Sequence, residues 1–187
     1  PATESTKKSI NYWPISIRIL SKSCQKFILK RQRCYIWKEF KYPNVIYLII
    51  GKTHPEVIKN EGEKYRNKLT SITEELHLEN NVIFIDEYLE LKQLLEYLTL
   101  SEIYLFSSKD PNQAVSGTFA YALSCGCAVV STPIPHAVEL LVDGNGILLK
   151  EFDNPNEFKN AILHLIENKD ERIAMGKNAF SLAHATT

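Results

Sequence analysis

Small polar residues stand where a helix is predicted to begin, at the end of residues 107–118. The tripeptide Ser116-Gly117-Thr118 opens an apolar helical pattern, and its small side chains leave the backbone accessible to an approaching ligand. The first amides of a helix lack partners within the helix, and the helix dipole favours negative charge there. The pattern therefore indicates either a phosphate-binding helix N-terminus or an ordinary cap, since Ser and Thr are common before helices.

A second group of polar residues follows the apolar run at residues 45–50. Lys52 and His54 come just after that run, which brings a cation and an imidazole to a predicted strand end. A single histidine in this place either faces a ligand or serves as a surface or capping residue. No nearby glutamate stands at HExxH spacing from His54, so the segment does not predict a metal site.

His136 belongs to a third segment, residues 131–139, which leads from another apolar run into a short predicted helix. Its imidazole either faces a ligand or caps that helix, and the sequence leaves both interpretations open. The chain contains no GxGxxG, P-loop lysine or GxSxG motif. Nothing local arranges serine, histidine and aspartate as a catalytic triad.

Strands of a parallel sheet are predicted to position these groups. Short apolar runs rich in β-branched and aromatic residues alternate with longer stretches of helical spacing, which is typical of βαβ units. Most runs are apolar on both faces, as expected for parallel strands covered by helices on each side. The predicted strands are residues 15–20, 45–50, 82–85, 103–106, 128–131 and 147–149. In such sheets ligands collect at the carboxyl ends of the strands.

Helical periodicity fills the intervals between the strands. Apolar residues across 57–76 recur at steps of mostly three, four or seven, and predict one amphipathic helix. Shorter stripes predict helices around residues 91–98 and 119–123.

Two helices are predicted at the C-terminal end. Asn154 is a good N-cap because Pro155 follows at the first helical position and Glu157 at the third. A final helix is predicted over about residues 170–184. The side chains expected to face inward on it are Ile173, Phe180 and Ala183.

The charges of the 187-residue chain balance, with 22 basic and 22 acidic side chains, so global electrostatics does not favour nucleic-acid binding. Residues 1–41 nevertheless hold ten basic side chains and two acidic ones. This segment either contacts RNA or an anionic membrane surface, or is a solvated face.

No apolar run approaches the length of a membrane span, and the N-terminus is polar, so we expect a soluble cytoplasmic protein.

The cysteines form neither a CxxC pair nor a set at zinc-ligand spacing. We expect them to be structural thiols in a reducing compartment. They are Cys24, Cys34, Cys125 and Cys127.

Three segments together resemble a known family. They read SGTFAYALSCGCAVVST at residues 116–132, ELLVDGNG at 139–146, and DER followed by a methionine at 170–175. Residues 42–187 resemble the C-terminal, donor-binding half of group-one retaining glycosyltransferases of the GT-B fold. A subgroup with a GxTHPEV segment is more similar still, and that segment occupies residues 51–57.

The resemblance implies an α/β fold with a doubly wound, Rossmann-like parallel sheet. It also implies transfer of a sugar, with retention, from a UDP-, GDP- or ADP-sugar to an acceptor hydroxyl, with neither an essential metal nor a cofactor. The acceptor, base and sugar stay open. We expect the acceptor-binding N-terminal domain of the family to be absent from this chain. We therefore expect an atypical basic segment at residues 1–41 and the nucleotide-sugar-binding domain at 42–187.

The same resemblance assigns roles to residues. The diphosphate is assigned to Ser116, Gly117, Thr118 and Lys52. The donor sugar and ribose are assigned to Gln113, Tyr121 and His54, and the nucleobase loop carries Glu87 and Tyr88. Glu139 matches an acid that follows the fifth strand of the family, and its alternative role is to cap its helix.

The chain departs from the family pattern in two places, and these departures leave other functions open. The family has two glutamates eight positions apart, where this chain has Gln113 and Tyr121. The glycine-rich turn after the first strand is absent, and Lys22 and Lys26 are candidates for its basic pair without a residue-by-residue match. A non-catalytic or degenerate nucleotide-sugar-binding fragment, a sugar-nucleotide epimerase of the same fold and an RNA-associated protein are therefore the alternatives.

Overall fold

A six-stranded parallel sheet organises the chain, whose computed structural model describes residues 17–22, 44–108, 110–142 and 144–185. Its order is β3-β2-β1-β4-β5-β6, the doubly wound arrangement. Successive strands are added on one side of β1 up to β3 and then, from β4, on its other side. The strands are β1 Ile17–Lys22, β2 Val45–Ile50, β3 Val82–Ile85, β4 Ile103–Phe106, β5 Ala128–Ser131 and β6 Gly146–Leu148. The predicted fold class is confirmed, and the strand predictions are correct to within two residues.

The strands are apolar throughout because each face of the sheet has its own core. Along β2, Tyr47 and Ile49 pack into one hydrophobic cluster, whereas Leu48 and Ile50 pack into the other. Side chains of a strand alternate between faces, so burial on both sides requires a continuous apolar run. This is why a short apolar run was a reliable signal for each strand.

Seven helices in the described part of the chain cover the two faces. The helices are α1 Pro55–Glu61, α2 Lys64–Glu75, α3 Leu91–Thr99, α4 Gly117–Ser124, α5 Pro135–Leu140, α6 Pro155–Glu167 and α7 Lys169–Ala185. Residues of α2 and α6 join one cluster, and residues of α3, α4 and α5 join the other. Since α7 contributes Met175 to the first cluster and Ala179 to the second, it lies at the boundary between them.

The predicted helix over residues 57–76 is wrong in one respect, because two helices occupy that stretch. Gly62 has a φ of +62°, a left-handed conformation that side-chain-bearing residues rarely adopt. Its N–H donates to the Ile58 carbonyl at 2.9 Å, which closes α1. The apolar stripe continues into α2 with Leu69 and Ile72 buried, so periodicity did not reveal the break.

The predicted inward face of α7 is wrong at two of its three positions. Ile173 and Phe180 are 43% and 48% exposed, whereas Ala183 packs against the second cluster. The buried positions of the helix are Arg172, Met175, Gly176 and Ala179. A Cβ on Gly176 would overlap the carbonyl oxygen of Gly126, so this helix contacts the rest of the fold through its backbone. Small and charged residues face inward here, and an apolar periodicity cannot detect such a face.

The start of α6 agrees with its sequence signal. The Asn154 side chain accepts a hydrogen bond from the Glu157 N–H at 3.1 Å, and Pro155 is the first helical residue. The carboxylate of Glu157 in turn accepts from the Lys150 N–H at 2.7 Å. These contacts fix the chain between β6 and α6 at the end of the sheet remote from β3.

The boundary predicted at residue 42 stays a prediction, although β1 lies within the preceding basic segment and pairs with both β2 and β4. The other residues of that segment, with Cys24, Cys34, Lys26 and the RNA or membrane alternatives, lie outside the described residues. Cys125 and Cys127 are free thiols. No helix within the described ranges is long and apolar enough to cross a membrane.

Candidate functional site

One cavity of about 820 Å³ lies at the carboxyl ends of β2, β3 and β4. The loops that follow these strands meet there because parallel strands all end at the same edge. The lining includes all nine residues to which the sequence assigned a ligand-binding role: Lys52, His54, Glu87, Tyr88, Gln113, Ser116, Gly117, Thr118 and Tyr121. The structure thus brings these side chains together, while the role of each stays a prediction.

A chain of hydroxyl groups supports the start of α4. Ser116 is the N-cap, and its Oγ accepts from the Phe119 N–H at 3.4 Å and lies 3.3 Å from Thr118 Oγ1. The Tyr104 hydroxyl donates to Thr118 Oγ1 at 3.1 Å. Burial raises the pKa of Tyr104, and the hydrogen bond to Thr118 offsets only part of that rise. Tyr104 therefore stays a neutral donor that fixes Thr118 at the cavity.

The backbone at Gly117 is open. A Cβ built on Gly117 would meet no atom of the described residues within 4 Å. The N–H groups of Gly117 and Thr118 make no hydrogen bond to any residue in the described part of the chain, as expected for the first turn of a helix. An anion in the cavity can therefore reach two donors and the positive end of the α4 dipole.

His136 has a role that the sequence did not reveal. Its Nδ1 accepts a hydrogen bond from the Ser116 N–H at 3.3 Å, and its ring centroid lies 5.2 Å from that of Phe119. The N-cap of α5 is Ile134, so the capping alternative is wrong. His136 is not among the cavity-lining residues, and a contact with a ligand stays a prediction. Twenty positions separate His136 from Ser116, and no local pattern reports such a contact.

The capping alternative for His54 is confirmed, and its role towards a ligand stays a prediction. Its Nδ1 accepts from the Glu56 N–H at 3.3 Å, so it caps α1, and it also lines the cavity together with the exposed Lys52. These two residues belong to the loop after β2, whereas Gly117 begins the helix after β4. The cavity can therefore offer cationic and imidazole N–H groups from one loop and backbone amides from the start of α4.

The outer part of the cavity is apolar and aromatic. Tyr88 is 83% exposed, and Leu91, Val115 and Tyr121 are exposed nearby at the rim. Exposed aromatic faces of this kind are suited to a planar ring such as a nucleobase.

Glu139 does not contribute to this cavity. It is exposed near the C-terminal end of α5 and is absent from the lining. It cannot cap the start of that helix, so the capping alternative is wrong. Among the described residues, no group of three His, Cys, Asp or Glu side chains is arranged to hold a metal ion.

A family model for group 1 glycosyl transferases matches residues 28–182. The glycosyltransferase MJ1069 of Methanocaldococcus jannaschii, which has not been characterized, is 30% identical over 164 residues. That match covers 83% of this chain and 41% of MJ1069.

Solved structures share the fold. Anabaena Alr3699/HepE in complex with UDP superposes with a TM-score of 0.76 at 19% identity, over 97% of this chain and 47% of that one. The C-terminal domain of a group 1 family protein, LpcC, from Francisella tularensis gives 0.75 at 17% identity, over 99% of this chain and 93% of that domain. The chain thus spans less than half the length of MJ1069 and HepE, and corresponds to a C-terminal domain.

Proposed function

This chain belongs to the group 1 glycosyl transferase family, and we propose that its cavity binds the nucleotide-diphosphate sugar from which such an enzyme transfers a sugar. In this proposal the chain is the donor-binding half, and an N-terminal domain provides the acceptor site. UDP is the first candidate nucleotide because HepE was solved with UDP and with UDP-glucose. GDP- and ADP-sugars are the alternatives, and a cytoplasmic location is part of the same proposal.

The observation that carries the proposal is the open start of α4 in the cavity wall. A diphosphate is doubly or triply charged, and the amides of Gly117 and Thr118 together with the helix dipole favour such a group. Lys52, which lines the same cavity, adds a full positive charge. Sugar transfer leaves new negative charge on the departing diphosphate, so donors fixed at this position stabilise the transition state more than the ground state.

The other cavity-lining residues are assigned to the sugar, the ribose and the base. Gln113 and His54 offer hydrogen bonds to sugar hydroxyls, and the Tyr121 hydroxyl offers one to the ribose. Tyr88 offers its ring to the base, on the loop that also carries Glu87. The unreactive part of the donor thus holds the reacting sugar in place for the acceptor.

Thermal unfolding of the full chain against UDP, GDP, ADP and their sugars tests this proposal. At 100 times its Kd, a ligand of the folded state stabilises by about 2.7 kcal/mol, which corresponds to a rise in Tm of about 5–10 °C. Gly117→Leu should abolish the rise without lowering the Tm of the free protein, because the added side chain enters open space.

Asn156→Leu is the matched control, since it also adds an exposed leucine to the first turn of a helix, far along the chain in α6. It should leave the nucleotide-induced rise unchanged. A cooperative transition that no nucleotide shifts would contradict the proposal.

A non-catalytic nucleotide-sugar-binding module is the second candidate. Gln113 and Tyr121 favour it, because neither supplies the charge-assisted hydrogen bonds that carboxylates make. Release of free UDP from UDP-glucose separates the two candidates. Binding of UDP-glucose with no UDP release, when the chain is joined to an acceptor-binding domain, would support the module.

A further inference from the structure

A largely buried cation lies behind one wall of the cavity. Arg66 is in the first turn of α2, its side chain is 14% exposed, and it is not among the cavity-lining residues. It adjoins two loops that line the cavity. One follows β2 and carries Lys52 and His54, and the other follows β3 and carries Tyr88.

The Arg66 guanidinium contacts both loops at their first residue. Its Nη2 donates to the Gly51 carbonyl oxygen at 2.6 Å and lies 3.1 Å from Asp86 Oδ1. Gly51 directly follows β2, and Asp86 directly follows β3. The Gly51 N–H also donates to the carbonyl of Ile85, the last residue of β3, at 3.0 Å, so the backbone joins the first loop to the strand that precedes the second.

A third contact extends this network to Thr53, which lines the cavity. Arg66 Nε lies 3.6 Å from Glu63 Oε2, and the same carboxylate oxygen accepts from the Thr53 hydroxyl at 2.7 Å. The charges alternate, with one guanidinium paired with the carboxylates of Glu63 and Asp86. The hydrogen bond that Arg66 donates to Gly51 and the one that Glu63 accepts from Thr53 each involve a charged group, and such bonds are stronger than neutral ones.

We infer that Arg66 is a positioning residue for the donor site, which holds the loop with Lys52 and His54 at a fixed distance from the loop with Tyr88. The identity of the bound nucleotide rests on the proposed function. Arg66 itself touches no ligand in this account, because it acts through Gly51, Thr53 and Asp86. A lysine cannot replace it, since its single ammonium group lacks separate nitrogens, of which Nε faces Glu63 and Nη2 faces Gly51 and Asp86.

Two measurements on the full chain test the inference, using Arg66→Lys. The first is the Kd for UDP by calorimetry, which should rise roughly tenfold, within the range of coupling between residues that share one network. The second is hydrogen exchange of the backbone amides. Exchange should accelerate both in residues 51–54 and in 86–89, because both loops lose their common anchor.

Arg172→Lys is the matched control. Arg172 is the more deeply buried arginine, with a relative exposure of 6%, and its Nη1 donates to the Leu165 and Ile166 carbonyls at the end of α6. It does not line the donor cavity. This variant should lower the Tm but leave the Kd for UDP and the exchange of both loops unchanged, which separates positioning from general stability.

Asp86→Asn serves as a milder variant, should the Arg66 variant fail to fold. It leaves the contacts to Gly51 and Glu63 in place, and the Kd for UDP should rise about threefold. An unchanged Kd and unchanged loop exchange in the substituted proteins would overturn the inference. Failure of the wild-type chain to bind any nucleotide would contradict the proposed function instead, and loop exchange would then still decide the role of Arg66.

Discussion

The imidazole of His136 holds the backbone of Ser116, the residue that caps the helix at the centre of the candidate site. The Ser116 N–H donates to Nδ1 at 3.3 Å, and the ring packs against Phe119 of the same helix. A segment after β5 thereby fixes the start of α4, although it does not reach the cavity.

Replacing His136 should weaken nucleotide binding without preventing folding. His136→Phe keeps an aromatic ring but removes the acceptor, which costs about 1 kcal/mol, or roughly a fivefold rise in the Kd for UDP. His136→Asn supplies a carbonyl acceptor and should restore part of the affinity. Calorimetric titration of the variants with UDP measures both effects, and equal affinities for His136→Phe and the wild type would refute the role.

Alkaline pH should destabilise the protein through two buried acids. Burial raises the pKa of Cys127 and of Tyr104, so in the folded state both keep protons that the unfolded chain releases. The free energy of unfolding therefore falls as pH rises above about 8.5, at up to about 1.4 kcal/mol per pH unit for each group.

Substituting Cys127 and Tyr104 separately tests how much each contributes to this fall in the free energy of unfolding. In Cys127→Ala the decline should begin only near pH 10, where Tyr104 takes over, and in Tyr104→Phe the later, steeper part should disappear. Urea unfolding between pH 7 and pH 11 measures the curves. A decline of the same slope in both variants and the wild type would rule out these two groups as its source.

The Tyr121 hydroxyl should contribute to ribose binding. Tyr121→Phe keeps the ring at the rim and removes one hydroxyl, so the Kd for UDP should rise about three- to tenfold, as for a single neutral hydrogen bond. The same substitution should leave the Kd for 2′,3′-dideoxy-UDP unchanged, because that ligand lacks the partner hydroxyls. A loss of equal size for both ligands would place the hydroxyl elsewhere.

Gly176 should tolerate no side chain. A Cβ there would overlap the Gly126 carbonyl, so Gly176→Ala forces α7 away from the core at a cost of about 1–3 kcal/mol. Gly117→Ala is the control, since its Cβ enters open space and the free energy of unfolding should stay within about 0.5 kcal/mol. Urea denaturation compares the two, and equal stabilities would contradict the close approach.

The sheet and the location of the site were predictable because both depend on local signals. Parallel strands buried on two faces give continuous apolar runs, and a parallel sheet brings the loops after those runs to one edge. Lys52 and Gly117 could therefore be assigned to one region although 65 positions separate them. The N-cap at Asn154 was predictable for the same reason, since all of its partners lie within one turn.

Contacts between distant side chains could not be predicted. Arg66 lies within the predicted helix over residues 57–76 and carries no sequence signal of its own, yet its partners include Asp86 from another loop. Most of the inward face of α7 was missed. Gly176 lets the helix backbone lie against Gly126, and Arg172 donates hydrogen bonds to carbonyls, and neither contact produces apolar periodicity. The break at Gly62 was missed because its positive φ interrupts the helix without interrupting the apolar periodicity.

A crystal structure of the chain with UDP tests the central claim most directly. The account predicts that the diphosphate lies within hydrogen-bonding distance of the Gly117 and Thr118 amides, with the base beside Tyr88. A diphosphate bound away from the start of α4, or an empty cavity in crystals grown at saturating UDP, would contradict it.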